Sequence, residues 1–194
     1  EVGAGIGHTS LLLHLISEPT SRGAWATIIG FPEINAHAAV ESGVALERLA
    51  MIPDPGPSWL EVTAALLDAV DLVVLSPPRE CRPSDARRLL ARARQRRSVL
   101  ILIDGNTNRG PRNRPPRRLW PEPADVVFTP TCSSWHGLGQ GHGCLSGITV
   151  TVNSTGRRLN GPTRSGSLHI GQHTAVSSPA VPSPAVSSPA VGSR

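Results

Sequence analysis

The fold is decided by residues 58–75, which read SWLEVTAALLDAVDLVVL. Apolar residues recur at helical spacing up to Ala69, so the pattern predicts a helix that Ser58 can cap. Asp71–Leu75 is an apolar run of the kind found in a central strand of a parallel sheet. A helix that leads directly into a buried strand predicts part of a βαβ unit.

Strand and helix signals alternate on both sides of this stretch. Apolar runs predict further strands over Ala24–Ile29, Arg48–Ile52, Val99–Ile103 and Val126–Phe128. Periodic or capped stretches predict further helices over Thr9–Ser17, Asn35–Ser42 and Asp85–Arg97, the last capped by Ser84. Strands separated by helices of this length predict an α/β fold, with a mainly parallel sheet flanked by helices.

The C-terminal part of the chain has a different character. Gly147–Val152 and Ser167–Ile170 alternate in polarity and predict an antiparallel β-hairpin at the sheet edge. We therefore assign residues 1–170 to one core, with an Arg/Pro-rich loop at 106–123. Residues 171–194 repeat a five-residue Ser/Pro/Ala/Val unit, which predicts a disordered tail.

The charge is basic and unevenly distributed. All 19 cationic residues are Arg, the net charge is +5, and 13 of these arginines lie between Arg79 and Arg118. A basic surface favours anionic partners such as DNA or an acidic protein. The alternative is a coding bias that replaces Lys by Arg without a functional reason.

The compartment follows from two observations. Three cysteines are too few for a disulfide scaffold and indicate a reducing environment. The apolar run Leu11–Ile16 is too short to span a bilayer. We therefore expect a cytoplasmic protein without a membrane contact.

A glycine-rich loop opens the chain before an apolar helix. A P-loop uses backbone N–H groups to hold phosphates, a Lys to reach the β- and γ-phosphates, and a hydroxyl for Mg²⁺. The hydroxyl position is Thr9, but the Lys position is His8, which is shorter and is not a permanent cation. We expect the strand before this loop to be missing. The candidate nucleotide-binding residues are Gly3, Gly5, Gly7, His8, Thr9 and Ser10.

The carboxylates that ATP hydrolysis needs are also altered. The apolar run that ends at Leu75 is followed by Ser76, where an acidic residue would hold Mg²⁺. Glu33 is the one candidate for activating water after the strand Ala24–Ile29. The sequence therefore predicts no catalytic residue, and neither ATP nor Mg²⁺ as a cofactor.

Several ordered segments resemble one superfamily. Gly43–Gly56 and the helix and strand after it are similar to the corresponding part of RecA-type recombinases. Val70–Val74, Arg82–Leu89 and Trp135–Gly143 extend the likeness to the shorter ImuA-type (SulA-like) RecA homologues of actinobacteria. The resemblance covers roughly residues 1–170.

This resemblance implies a RecA-like P-loop core and a function in the response to DNA damage (the SOS response). ImuA-type proteins are accessory proteins of an inducible translesion-synthesis mutasome. The partners implied are a Y-family polymerase homologue and an error-prone replicative-type polymerase, with DNA as a further candidate. Because His8 and Ser76 depart from the RecA pattern, we expect a pseudoenzyme.

A row of arginines marks the predicted helix Asp85–Arg97. Several of them recur at i, i+4 spacing on one face, which suits phosphates or an acidic partner. The alternative is an ordinary solvated outer face. The candidate contact residues are Arg87, Arg88, Arg92, Arg94, Arg96 and Arg97.

A cysteine and histidine cluster follows in the Gly-rich region. Cys132, His136, His142 and Cys144 carry atoms that zinc accepts, but their spacing matches no common zinc motif. We therefore predict no metal site.

Two other functions remain open from the sequence. One is a diverged P-loop ATPase in which an Arg from a neighbouring subunit replaces the Lys. The other is a degenerate gene product without function, which the Arg/Pro-rich insert and the repetitive tail would allow.

Overall fold

The computed structural model describes residues 2–3, 7–78, 80–104, 119–138, 143–158 and 163–171. Within these ranges the helices are α1 (His8–Ser21), α2 (Ala36–Glu41), α3 (Trp59–Ala69) and α4 (Pro83–Arg96). The strands of the same ranges are β1 (Val2–Gly3), β2 (Ala26–Ile29), β3 (Leu49–Ile52), β4 (Leu72–Leu75), β5 (Val99–Asp104), β6 (Val127–Leu138), β7 (Gly143–Thr155) and β8 (Arg164–Gly171). The tail predicted to be disordered and most of the Arg/Pro-rich loop lie outside the described residues.

The strands form one sheet in the order β3-β2-β4-β5-β1-β6-β7-β8. β7 runs antiparallel to its two neighbours, and the other pairs are parallel. The predicted α/β class, with a mainly parallel sheet and a C-terminal hairpin, is confirmed. Because β4 and β5 lie between β1 and β2, the order differs from that of the dinucleotide-binding fold, where β1 and β2 are neighbours.

Two apolar clusters pack on opposite faces of the parallel strands. The first includes Leu12 and Ile16 of α1 with Val74 of β4, and the second includes Leu89 of α4 with Val73 of β4. Successive residues of a strand point to opposite faces. This is why β4 has to be apolar at every position.

The length of β6 was predicted wrongly. The sequence indicated a strand over Val126–Phe128, whereas β6 extends to Leu138 with register shifts after Pro130 and His136. The Ser- and Gly-containing stretch has a weak strand signal of its own. Its pairing with β7 holds it extended, and that pairing is long-range.

Two helix caps were also predicted wrongly. Ser58 precedes α3 but makes no side-chain cap hydrogen bond. α4 begins at Pro83, after Arg82, so Ser84 lies inside the first turn. Proline suits the first helical position because its missing N–H would have no partner there.

The strand before the glycine-rich loop was expected to be missing, but two of its residues are present. Val2 pairs in parallel with Ile103 of β5 and with Phe128 of β6. The loop therefore leaves the sheet at an interior strand. Among the described residues, no helix is long and apolar enough to cross a membrane.

A buried hydroxyl on β2 provides a test of the core. The side chains of Thr27 and Thr63 are both fully buried. Thr63 donates to the Trp59 carbonyl oxygen at 2.7 Å, whereas Thr27 Oγ1 has no hydrogen-bond partner among the described residues. Since an unsatisfied buried hydroxyl is costly, Thr27→Val should raise the free energy of unfolding by about 1 kcal/mol.

Urea denaturation measures this change. Thr63→Val is the matched control, and it should give no gain because its hydroxyl is already satisfied. A Thr27→Val variant that is less stable than the wild type would contradict the assignment.

Candidate functional site

The glycine-rich loop ends at Gly7, directly before α1. Gly7 has a φ of +92°, which is in the left-handed region that favours glycine. A Cβ at this position would also lie 2.7 Å from a methyl carbon of Val150. Gly3 ends β1, and Gly5 lies outside the described residues. The glycine at position 7 is therefore required both by the turn and by packing against β7.

His8 and Thr9 are engaged with each other at the start of α1. His8 Nε2 and Thr9 Oγ1 are 3.3 Å apart. The His8 ring also meets buried Phe31 edge to face, with 6.0 Å between the ring centroids. The imidazole at the Lys position is thus packed beside Phe31, which follows β2. Ser10 is half-buried in the same turn.

The ends of β2 and β4 do not bring two acidic side chains together. Ser76 follows β4, and its backbone N–H donates to the Ile29 carbonyl oxygen at 3.0 Å. Glu33 lies beyond the end of β2 and is exposed. Among the described residues, none of those directly after β2 and β4 is a carboxylate that faces a second acidic group.

The sequence analysis missed one acidic residue near the loop. Asp104 is the last residue of β5, and its Cα is paired in register with that of Gly3. The available signal was an acidic residue at the end of an apolar run. Only the strand order shows that this run lies next to β1.

The arginine row of α4 is not a uniform surface. Arg92 and Arg96 both bind the carboxylate of Asp68 on α3, with Nε–Oδ1 distances of 2.8 and 3.0 Å. Arg87 Nε lies 3.1 Å from Glu122 Oε1. Half of the six predicted contact residues therefore already have acidic partners within the chain.

The other three arginines are exposed and differ in setting. Arg88, Arg94 and Arg97 form no ion pair with any residue in the described ranges. Arg97 has a φ of 60° and ends α4 in the left-handed region. A shallow groove of about 320 Å³ follows this helix face and is lined by Arg88, Ala91, Arg92, Gln95 and Arg96.

A second, apolar groove of about 390 Å³ lies between α1 and the last three strands. Leu15, Phe128 and Leu168 form part of its lining, and Arg164 and His14 add positive or titratable groups. No acidic side chain lines it. The sequence analysis did not identify this groove, because its walls come from distant segments.

The cysteine and histidine cluster, for which the sequence analysis predicts no metal site, lies only partly within the described residues. In the part of the chain that the structure describes, no group of three or more His, Cys, Asp or Glu side chains is arranged to hold a metal ion. His142 and the side chain of Cys132 lie outside that part. His136 instead hydrogen-bonds Thr149, and Cys144 is exposed.

Cys81 is not suited to nucleophilic chemistry. Burial and, as the smaller cause, the negative charge of Asp85 together raise the pKa of the Cys81 thiol to about 11. A thiol must ionise to act as a nucleophile, so little thiolate forms at neutral pH.

The ion pairs of Asp68 with Arg92 and Arg96, which we call the Asp68 clasp, give a pH-dependent prediction. The pKa of Asp68 is lowered from 3.8 to about 2, chiefly by the hydrogen bond from Arg92 and also by the charges of Arg92 and Arg96, while desolvation of the carboxylate acts in the opposite direction. The unfolded chain therefore takes up this proton first as the pH falls. The stabilisation is complete above about pH 4 and is lost between about pH 4 and pH 2.

Asp68→Asn should consequently lower the urea midpoint at pH 6, and its difference from the wild type should shrink as the pH approaches 2.5. Glu61→Gln on the same helix is the matched control. A difference between Asp68→Asn and the wild type that is independent of pH would contradict the clasp.

Comparison with known proteins places this arrangement in a family. The family model described as the MT3502 N-terminal domain matches residues 2–109. The chain is 39% identical over 157 residues to the Uncharacterized protein Rv3395c of Mycobacterium tuberculosis. The matched region covers 80% of this chain and 74% of that protein. The chain is also similar to SulA from Pseudomonas aeruginosa, with a TM-score of 0.47, 18% identity, and coverage of 55% of this chain and 95% of SulA. The chain belongs to the MT3502 N-terminal domain family.

Proposed function

We propose that this protein is a non-catalytic, RecA-like accessory protein in DNA repair and translesion mutagenesis. It contributes an arginine surface to a partner, and it does not hydrolyse a nucleotide. The contact between His8 and Thr9 is the observation that supports the absence of hydrolysis. The unpaired charge on α4 is the one that supports the arginine surface.

Phosphate chemistry needs a cation and an accessible hydroxyl at the start of α1. His8 occupies the cation position and packs against Phe31, and the Thr9 hydroxyl is hydrogen-bonded to it. The strand that would carry a Mg²⁺-binding carboxylate is followed by Ser76. Each of the three groups required for hydrolysis is thus replaced or engaged elsewhere.

The arginine surface consists of the exposed Arg88, Arg94 and Arg97. Asp68 cancels part of the charge of Arg92 and Arg96 and fixes their guanidinium groups, and it leaves the exposed three as the groups free to meet an anion. Arginine forms bidentate contacts with carboxylates and phosphates. An acidic face of a Y-family polymerase homologue or of an error-prone replicative-type polymerase fits this surface, and so does the DNA backbone.

Base stacking is not part of this proposal. No aromatic residue interleaves with the arginines of α4. Contact with DNA would therefore be confined to phosphates, which makes it insensitive to sequence and strongly dependent on salt. This property separates a DNA partner from a specific protein partner.

The decisive variant reverses two exposed charges, Arg88→Glu with Arg94→Glu. We expect binding to the polymerase homologue or to single-stranded DNA to weaken at least tenfold at low salt. If DNA is the partner, the slope of log K against log salt should fall by about 2 units. Fluorescence anisotropy measures both quantities.

The matched control is Arg164→Glu, which reverses an exposed charge on β8, in a different part of the chain. It should leave binding close to that of the wild type. Because Arg164→Glu changes the net charge by half as much as the double variant, a loss of binding free energy half as large as that of the double variant would mean that net charge alone matters, and unchanged binding in the double variant would remove the assigned surface.

The second candidate function is a diverged P-loop ATPase. It is favoured by the position of the loop between interior strand β1 and α1, and by the pairing of Gly3 with Asp104 at the end of β5. It requires Mg²⁺-dependent ATP binding that is lost in Thr9→Ala. Cooperative unfolding in the urea denaturation described above would separate both candidates from a degenerate gene product.

The missing ammonium can be restored to decide between the two. In the proposed function the wild type shows no measurable Mg²⁺-dependent ATP binding, and His8→Lys makes binding measurable because it supplies the phosphate-binding cation. Adding Thr9→Ala to His8→Lys should reverse the gain. Isothermal titration with ATP and Mg²⁺ is the measurement, and tight binding by the wild type would favour the ATPase.

A further inference from the structure

Two histidines lie on either side of one threonine in the antiparallel part of the sheet. Thr149 is on the middle strand β7 and is directly paired with His169 of β8. On its other side Thr149 is paired with Ser134, two residues before His136 of β6. Residues opposite each other in an antiparallel pair share a face, so all three side chains lie on one face of the sheet.

The ring nitrogens of the two histidines converge on one point. His136 Nε2 is 2.7 Å from Thr149 Oγ1, and His169 Nδ1 is 3.0 Å from the same oxygen. The ring centroids are 5.2 Å apart, with 54° between the ring planes. A hydroxyl has only one proton to donate, so one imidazole accepts it while the other donates its own N–H.

We propose that His136 and His169 form a binding site for a divalent transition-metal ion of the zinc class. Zinc–nitrogen bonds are about 2.0–2.1 Å long, and tetrahedral ligation by two imidazoles puts their centroids roughly 5 Å apart. The observed separation matches this value before any metal is bound. Imidazole is a preferred ligand of Zn²⁺, Cu²⁺ and Ni²⁺.

The surroundings leave room for such an ion. Both histidine side chains are exposed, and Gly147, which is opposite His136, adds no side chain to the face. The next paired residues on this face are Thr151 and Ser167, which carry no charge. No described cation is in register beside the site to repel a metal ion, and water can complete the coordination.

Binding requires a rearrangement of protons and a movement of the Thr149 hydroxyl. The imidazole that donates to Thr149 moves its proton to its other ring nitrogen, so that both nitrogens facing the threonine present a lone pair. The metal then replaces two hydrogen bonds with two coordinate bonds. The Thr149 hydroxyl is displaced towards water.

The test is a titration of the full chain with ZnSO₄. Calorimetry measures the binding, and the melting temperature measures the stabilisation. The wild type should bind one Zn²⁺ and be stabilised by it, because a ligand that binds the folded state raises its stability. His136→Ala and His169→Ala should each weaken binding at least tenfold. His14→Ala and Cys144→Ser, which change an exposed histidine and an exposed cysteine outside the pair, should retain wild-type binding.

Thr149→Val separates a metal site from a hydrogen-bonded ladder. It removes both hydrogen bonds, of which each histidine variant removes one, but it keeps both imidazoles. Its zinc affinity should therefore stay within threefold of the wild type. A loss in Thr149→Val as large as that in His136→Ala would overturn the proposal. Absence of zinc binding by the wild type, or unchanged binding in both histidine variants, would overturn it as well.

Discussion

The structure depends on the burial of β4 from both sides. Leu72 and Val74 belong to the cluster that packs under α1, and Val73 and Leu75 belong to the one under α4. All four residues have a relative solvent exposure of 7% or less. A strand in this position joins the two layers, because each of its faces completes a different core, and so every other element of the parallel half is placed relative to it.

That arrangement also explains the chemistry available at the strand ends. Parallel strands deliver their carboxyl ends to one edge of the sheet, and the glycine-rich loop leaves β1 at that edge. Among the residues found there, His8 Nε2 lies 3.3 Å from Thr9 Oγ1, and the backbone N–H of Ser76 donates to the Ile29 carbonyl oxygen at 3.0 Å.

On the outer surface, tertiary contacts separate the arginines of α4 into those with an acidic partner and those without one among the described residues. Along α4 the arginines look equivalent, since helical spacing places several on one side. Asp68 on α3 is within reach of Arg92 and Arg96 only because α3 and α4 pack side by side in one layer. The same contact distinguishes Arg92 and Arg96 from Arg88, Arg94 and Arg97, which form no ion pair with a described residue.

The sequence by itself determined the α/β class, the alternation of elements and the edge hairpin, because hydrophobic period and turn residues act locally. It also predicts that His8 and Ser76 stand at the Lys and carboxylate positions, since the glycine-rich loop and the end of the apolar run are each contiguous in the chain. The tertiary structure alone decided the strand order that brings Asp104 beside Gly3, the extension of β6, the pairing of Asp68 and the approach of His169 to His136. Each of these is a contact between distant segments, and such contacts depend on packing and register, which no local pattern encodes.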